Sequence, residues 1–110
     1  MTLAFNNIVG ILEGCTHNLK EQIPNKQGFH CWMDHGHEVD IKMTRLFHKI
    51  ASNKANMRVV DTATVTIEPP NEKLTQIITD YFLNEKISDE PDFLFFDSVT
   101  INGNPIITKK

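Results

Sequence analysis

The 110-residue chain carries a formal charge of −3, with 40% hydrophobic and 23% charged residues; this excludes a disordered or fibrous chain and leaves one domain, residues 1–110, large enough to bury its own core. The acidity is concentrated between Asn71 and Asp92, which argues against a nucleic-acid binder, whose affinity comes largely from a basic footprint. With no secretory context, Cys15 and Cys31 read as buried, reduced thiols of a cytoplasmic protein, and the N-terminal MTLAFNNIVGILEGC, which lacks basic residues and is broken by Asn6, Asn7 and Glu13, reads as neither signal peptide nor membrane span.

Phe5, Ile8, Leu12, Cys15, Leu19 and Ile23 recur at three-and-four spacing and predict a helix from about Leu3 to Gln22, capped by Thr2 and stopped by Pro24. Gly10 and Gly14 lie inside it, each costing about 1 kcal/mol against Ala, and so suggest close packing against a neighbour. From Phe29 to Ile41 the apolar residues fall on odd positions, the alternation of a half-buried strand. That parity survives the middle only if the loop has three residues, Asp34-His35-Gly36, with Gly36 left-handed. The expected hairpin pairs Met33 with His37, Cys31 with Val39 and Phe29 with Ile41. Phe29, Cys31, Val39 and Ile41 then face inward, while Trp32 with Glu38 and His30 with Asp40 pair on the outside. Val39, Met43, Leu46, Phe47 and Ile50 also fit a helical face, which admits a helix starting near Glu38.

After the hairpin, Met43, Leu46, Phe47 and Ile50 predict a short second helix with Lys42, Arg45 and Lys49 sharing its other face. A β-branched strand is expected from about Met57 to Glu68, ended by Pro69-Pro70. Asn71 then caps a third helix carrying Leu74, Ile77, Ile78, Tyr81 and Phe82. Phe93 to Phe96, apolar on both parities, reads as a central strand. Asn102-Gly103 predicts a two-residue hairpin pairing Ile101 with Asn104 and Val99 with Ile106, with Pro105 restricting the last strand to an edge. The expected fold is α+β in the order α-β-β-α-β-α-β-β: a mostly antiparallel sheet of about five strands with three helices packed on it.

No complete catalytic signature is present. His30, Asp34, His35, His37, Glu38 and Asp40 are ligand types suited to a divalent metal, but the run has neither His-Glu-x-x-His nor a paired Cys-x-x-Cys. His30 with Asp40 could form an acid–base pair beside Trp32. Cys31 shares a parity with Phe29 and Met33, which opposes a nucleophilic role, and no glycine-rich phosphate loop is present. Two acidic surfaces fit a basic protein partner: Trp32 with Asp34, Glu38 and Asp40, and the stretch Glu85, Asp89, Glu90 and Asp92.

In size, acidity and lack of catalytic machinery the chain resembles bacterial immunity and antitoxin proteins, which neutralise a cognate toxin by covering its active site. The likeness is one of kind, without a shared motif, and carries no residue over. It implies a cytoplasmic inhibitor of a basic partner such as a nuclease toxin, with no cofactor, no catalysis of its own, and no nucleic acid or membrane bound directly. The alternatives are a metal-binding domain or metal-dependent hydrolase using His30, His35 and His37, and a homodimer joined through the Phe-rich sheet.

Overall fold

The computed structural model describes residues 2–19, 21, 25–49, 57–85 and 96–108, with the backbone alone for His48, Lys49, Met57, Arg58, Asn84 and Glu85. A 3-10 turn, Phe5–Asn7, leads into α1, Ile8–Leu19. Strands β1 (Asn25–Met33), β2 (His37–Lys49) and β3 (Met57–Glu68) follow, then α2 (Glu72–Glu85), β4 (Phe96–Ile101) and β5 (Asn104–Thr108). The five strands form one sheet in sequence order. Neighbours are antiparallel except β3 and β4, which run parallel and are joined through α2.

The α+β class holds, with two α-helices among the described residues instead of the expected three. The predicted second helix is the continuation of β2, which pairs with β3 without a break from Glu38↔Glu68 to Lys49↔Met57. Met43, Leu46 and Phe47 satisfy a helical spacing, but β3 offers an unbroken ladder along the whole segment, with Thr62, Val60 and Val59 as β-branched partners. Long-range pairing therefore wins over a local pattern of only two turns. Two side-chain pairs lock the extension. Thr44 and Thr62 share a hydroxyl hydrogen bond of 2.5 Å, and Arg45 grips Asp61 with two, at 2.7 and 3.0 Å. Lys42 and Arg45 accordingly leave opposite sides of a strand, Lys42 exposed and Arg45 paired, and do not share the expected basic helix face.

Odd positions of β1 to β3 face the helices and even positions face away. Cys31, Met33, Val39, Ile41, Met43, Ala63, Val65 and Ile67 join Ile8, Leu12, Leu19, Leu74, Ile78 and Phe82 in one core. Thr16 donates to the Leu12 carbonyl at 2.5 Å, so its oxygen accepts from the Tyr81 hydroxyl at 2.7 Å, and the two helices are joined there. Phe82 meets Phe96 edge to face with centroids 5.1 Å apart. Phe93, Leu94 and Phe95 lie outside the described residues; Phe96 is buried in this core.

Several local expectations need correction. α1 is shorter than predicted and is not capped by Thr2, whose hydroxyl instead donates to Asp34 at 2.7 Å. Leu3 pairs with the end of β1, donating to the Trp32 carbonyl and accepting from Asp34 N–H, which fixes the chain in extended form before the turn. Pro24 lies outside the described residues. Gly10 and Gly14 face open space, with nothing within 4 Å of where a Cβ would stand, so no close packing explains them. Phe29 has the inward parity but is 41% exposed, because β1 is an edge strand that the helices only partly cover. Asn102-Gly103 makes the expected turn, yet an irregularity between Val99 and Thr100 pairs Val99 with Ile107 in place of Ile106. Asn102 explains the tight closure. Its side-chain oxygen accepts from Ile67 N–H at 2.7 Å and its amide donates to the Ile67 carbonyl at 3.1 Å, so the β4–β5 turn is stitched to β3.

A candidate binding face

The predicted loop register is the one observed. Met33 pairs with His37, Cys31 with Val39, Phe29 with Ile41, Trp32 with Glu38 and His30 with Asp40. Gly36 takes φ +78°, and His35 before it is also left-handed at φ 66°. The three histidines part company around this turn. His35 sits exposed at the tip against Phe5, with ring centroids 5.8 Å apart. His37 is buried, its Nδ1 2.6 Å from the Pro69 carbonyl and its Nε2 3.3 Å from the Asn71 side-chain amide. A carbonyl can only accept, and the Asn71 oxygen already accepts from Leu74 N–H at 2.9 Å. The His37 proton is thereby assigned to Nδ1, and Nε2 accepts from Asn71. His37 thus orients the residue that caps α2, a structural task. His30 points to the opposite side of the sheet. The ligand set His30, His35 and His37 is not brought together, and among the described residues no group of three His, Cys, Asp or Glu is arranged to hold a metal ion.

On the side away from the helices the even positions form a face that no other described element covers. His30 bonds diagonally to Glu38 at 2.6 Å, not to Asp40 directly opposite, so the expected His30–Asp40 acid–base pair is replaced by His30–Glu38. The His30 and Trp32 rings meet edge to face at 6.2 Å, and Trp32 remains 50% exposed. His30, Glu38, Asp40, Thr66 and Glu68 line a shallow depression of about 310 Å³. Glu68 was not singled out by the sequence. It lies directly opposite Glu38 and has no hydrogen-bond or ion-pair partner among the described residues. Its place becomes visible only once residues 43–49 are known to be strand, because the β2–β3 register then carries it to the face.

Apart from Leu46 and Val60 at its far end, the rest of the face is polar and graded in charge. Three carboxylates, Glu38, Asp40 and Glu68, lie toward the 34–36 turn, and Lys42 and Lys26 lie two and four positions further along the sheet. Thr44, Thr62, Thr64, Ser98 and Thr100 fill the remainder. Lys42 approaches Asp40 at 4.0 Å across solvent. Asp34 does not belong to this face. It accepts from Thr2 and borders a separate cleft with Ala4, Phe5, Asn6, His35 and Lys73. Of the second acidic set, Glu85 closes α2 with its backbone alone described, and Asp89, Glu90 and Asp92 lie outside the described residues.

Cys15 and Cys31 are free and buried. Burial pushes both thiols above the ordinary value of 9.0, the opposite of what a nucleophilic cysteine needs. No described helix is long and apolar enough to cross a membrane. Comparison with family models, with curated proteins and with solved structures finds no match.

Proposed function

We propose that the chain is a binding protein whose uncovered sheet face docks a cationic protein surface, in the manner of a cytoplasmic inhibitor that covers the active site of a basic partner such as a nuclease toxin. One observation carries the reading. Glu38 and Glu68 are placed directly opposite each other beside a half-exposed Trp32. Like charges in that position cost stability, and with Glu38 already bonded to His30 the Glu68 carboxylate is the one left for an arriving cation. The indole supplies an aromatic anchor, and the carboxylates supply steering and selection against acidic competitors. The reduced, buried thiols suit a cytoplasmic setting.

The test is affinity capture from lysate of the source organism at low salt, comparing the native chain with the doubly substituted Glu38→Lys, Glu68→Lys chain. The native chain should retain a stoichiometric basic protein that moderate salt releases, and the substituted chain should lose it. Equal retention by both chains, or no stoichiometric partner on the native one, would sink the proposal.

A further inference from the structure

The graded charge of the outer face is self-complementary. Successive outward rows read Trp32, Glu38, Glu68; then His30, Asp40, Thr66; then Gly28, Lys42, Thr64; then Lys26, Thr44, Thr62. Suppose a second copy is turned about a two-fold axis that lies across the strands, between Asp40 and Lys42. The second row then falls on the third and the first on the fourth, on all three strands because one register governs them, with Glu38 and Glu68 set against the Thr44 and Thr62 hydroxyls of the other copy. Asp40 of each copy faces Lys42 of the other. Trp32 faces Lys26, a cation over an indole. His30 faces Gly28, whose missing side chain leaves a hollow, the Ile41 carbonyl at 3.8 Å being all that a Cβ there would approach. Thr66 and Thr64, with no charge, face one another. Each contact occurs twice, as an isologous two-fold interface requires. Aligned sheets pack about 10 Å apart with strands within roughly 30°, and the Asp40–Lys42 and His30–Gly28 contacts lie nearest the axis, where that crossing displaces them least.

We infer that a second copy of this chain occupies the face, forming a two-fold dimer through Asp40–Lys42 and Trp32–Lys26 contacts between copies. The inference rests on the reading of this face as a dock for cationic groups and names its resting occupant. A foreign basic partner binds by exchange with the second copy.

The experiment uses the full chain in sedimentation equilibrium at low salt, with the emission of Trp32, the only tryptophan, as a second readout. The native chain should dimerise, with Trp32 emission shifting to the red on dilution. Asp40→Lys alone and Lys42→Asp alone should each weaken association at least tenfold, because each sets like charges against one another twice. An equimolar mixture of the two variants should recover association, since each now offers the charge the other lacks. A merely structural role within one chain would not produce that recovery. A native chain that stays monomeric, or a mixture that recovers nothing, overturns the inference. Titrating the same samples with an oligolysine peptide separates the two readings. If the native chain stays monomeric yet Trp32 responds to the peptide in it but not in Glu38→Lys, Glu68→Lys, the dock for cations stands while the second copy is excluded. If neither dimer nor peptide response appears, both readings fall.

Discussion

Individual residues differ in how far their surroundings commit them. Arg45 and Asp61 are 14% and 5% exposed and meet through two hydrogen bonds, while Asp61 N–H donates to Asp97 at 3.0 Å. Breaking such a buried pair costs about 3 kcal/mol or more, so Arg45→Met should lower the urea midpoint by a corresponding amount without changing its slope. The thiols give a pH signature. Each is raised above 9.0 by desolvation, so the unfolded chain releases those protons before the folded chain does. Above pH 9.0 the unfolded state then holds fewer protons, and stability falls as pH rises toward the folded values; below 9.0 the thiols add no slope. Denaturant midpoints measured on either side of 9.0, with Cys15→Ala and Cys31→Ala as controls, should show the decline shrinking in each variant. Alkylation at neutral pH should be slow in the folded chain and fast in urea.

At the scale of elements, α1 and β2 illustrate opposite outcomes. The apolar stripe of α1 was plain in the sequence, and Ile8, Leu12, Cys15 and Leu19 are buried as it implies. Its two glycines were misread, because a glycine's composition cost does not reveal whether a neighbour approaches. With open space around both, Gly10→Ala and Gly14→Ala should each raise stability by about 0.5–1 kcal/mol, measurable as additive gains in thermal midpoint. β2 was misread for a different reason. Thirteen residues with apolar side chains at 39, 41, 43, 46 and 47 satisfy two periods at once, and only the partner strand decides between them. Where a local signal was unambiguous it held: β3 spans the expected Met57 to Glu68, and Asn71 caps α2 through Leu74 N–H.

At the scale of the whole molecule, the described residues make a sheet with helices on one side only, and the candidate site belongs to that scale. Both described helices lie on the odd-numbered side, and no described element covers the even side. Leu46 and Phe47, 40% and 54% exposed, sit where β2 and β3 run beyond β1 and β4. The dock should trade stability for binding. Glu68→Lys replaces a like-charged cross-strand pair with an opposite one and should raise stability by about 0.5–1 kcal/mol, while weakening capture of a basic partner. A thermal melt beside the binding measurement checks both halves. Loss of stability in Glu68→Lys would mean that Glu68 is a structural residue. Because the three histidines of the turn point to separate environments, a chelator should leave the thermal midpoint of the chain unchanged.

The sequence by itself determined the hairpin register around Asp34-His35-Gly36, the helical stripes of α1 and α2, the β-branched strand and the Asn102-Gly103 turn, since each rests on short-range periodicity or on a backbone conformation that few residues tolerate. It also placed Trp32, Glu38 and Asp40 on one face, because strand parity is a local property. Tertiary structure alone decided that residues 43–49 extend β2, that β3 and β4 run parallel, that His30 bonds to Glu38, and that Glu68 joins the face. Those facts depend on pairings between residues from eight to thirty-six positions apart, and no local pattern encodes which of two competing partners a segment will meet.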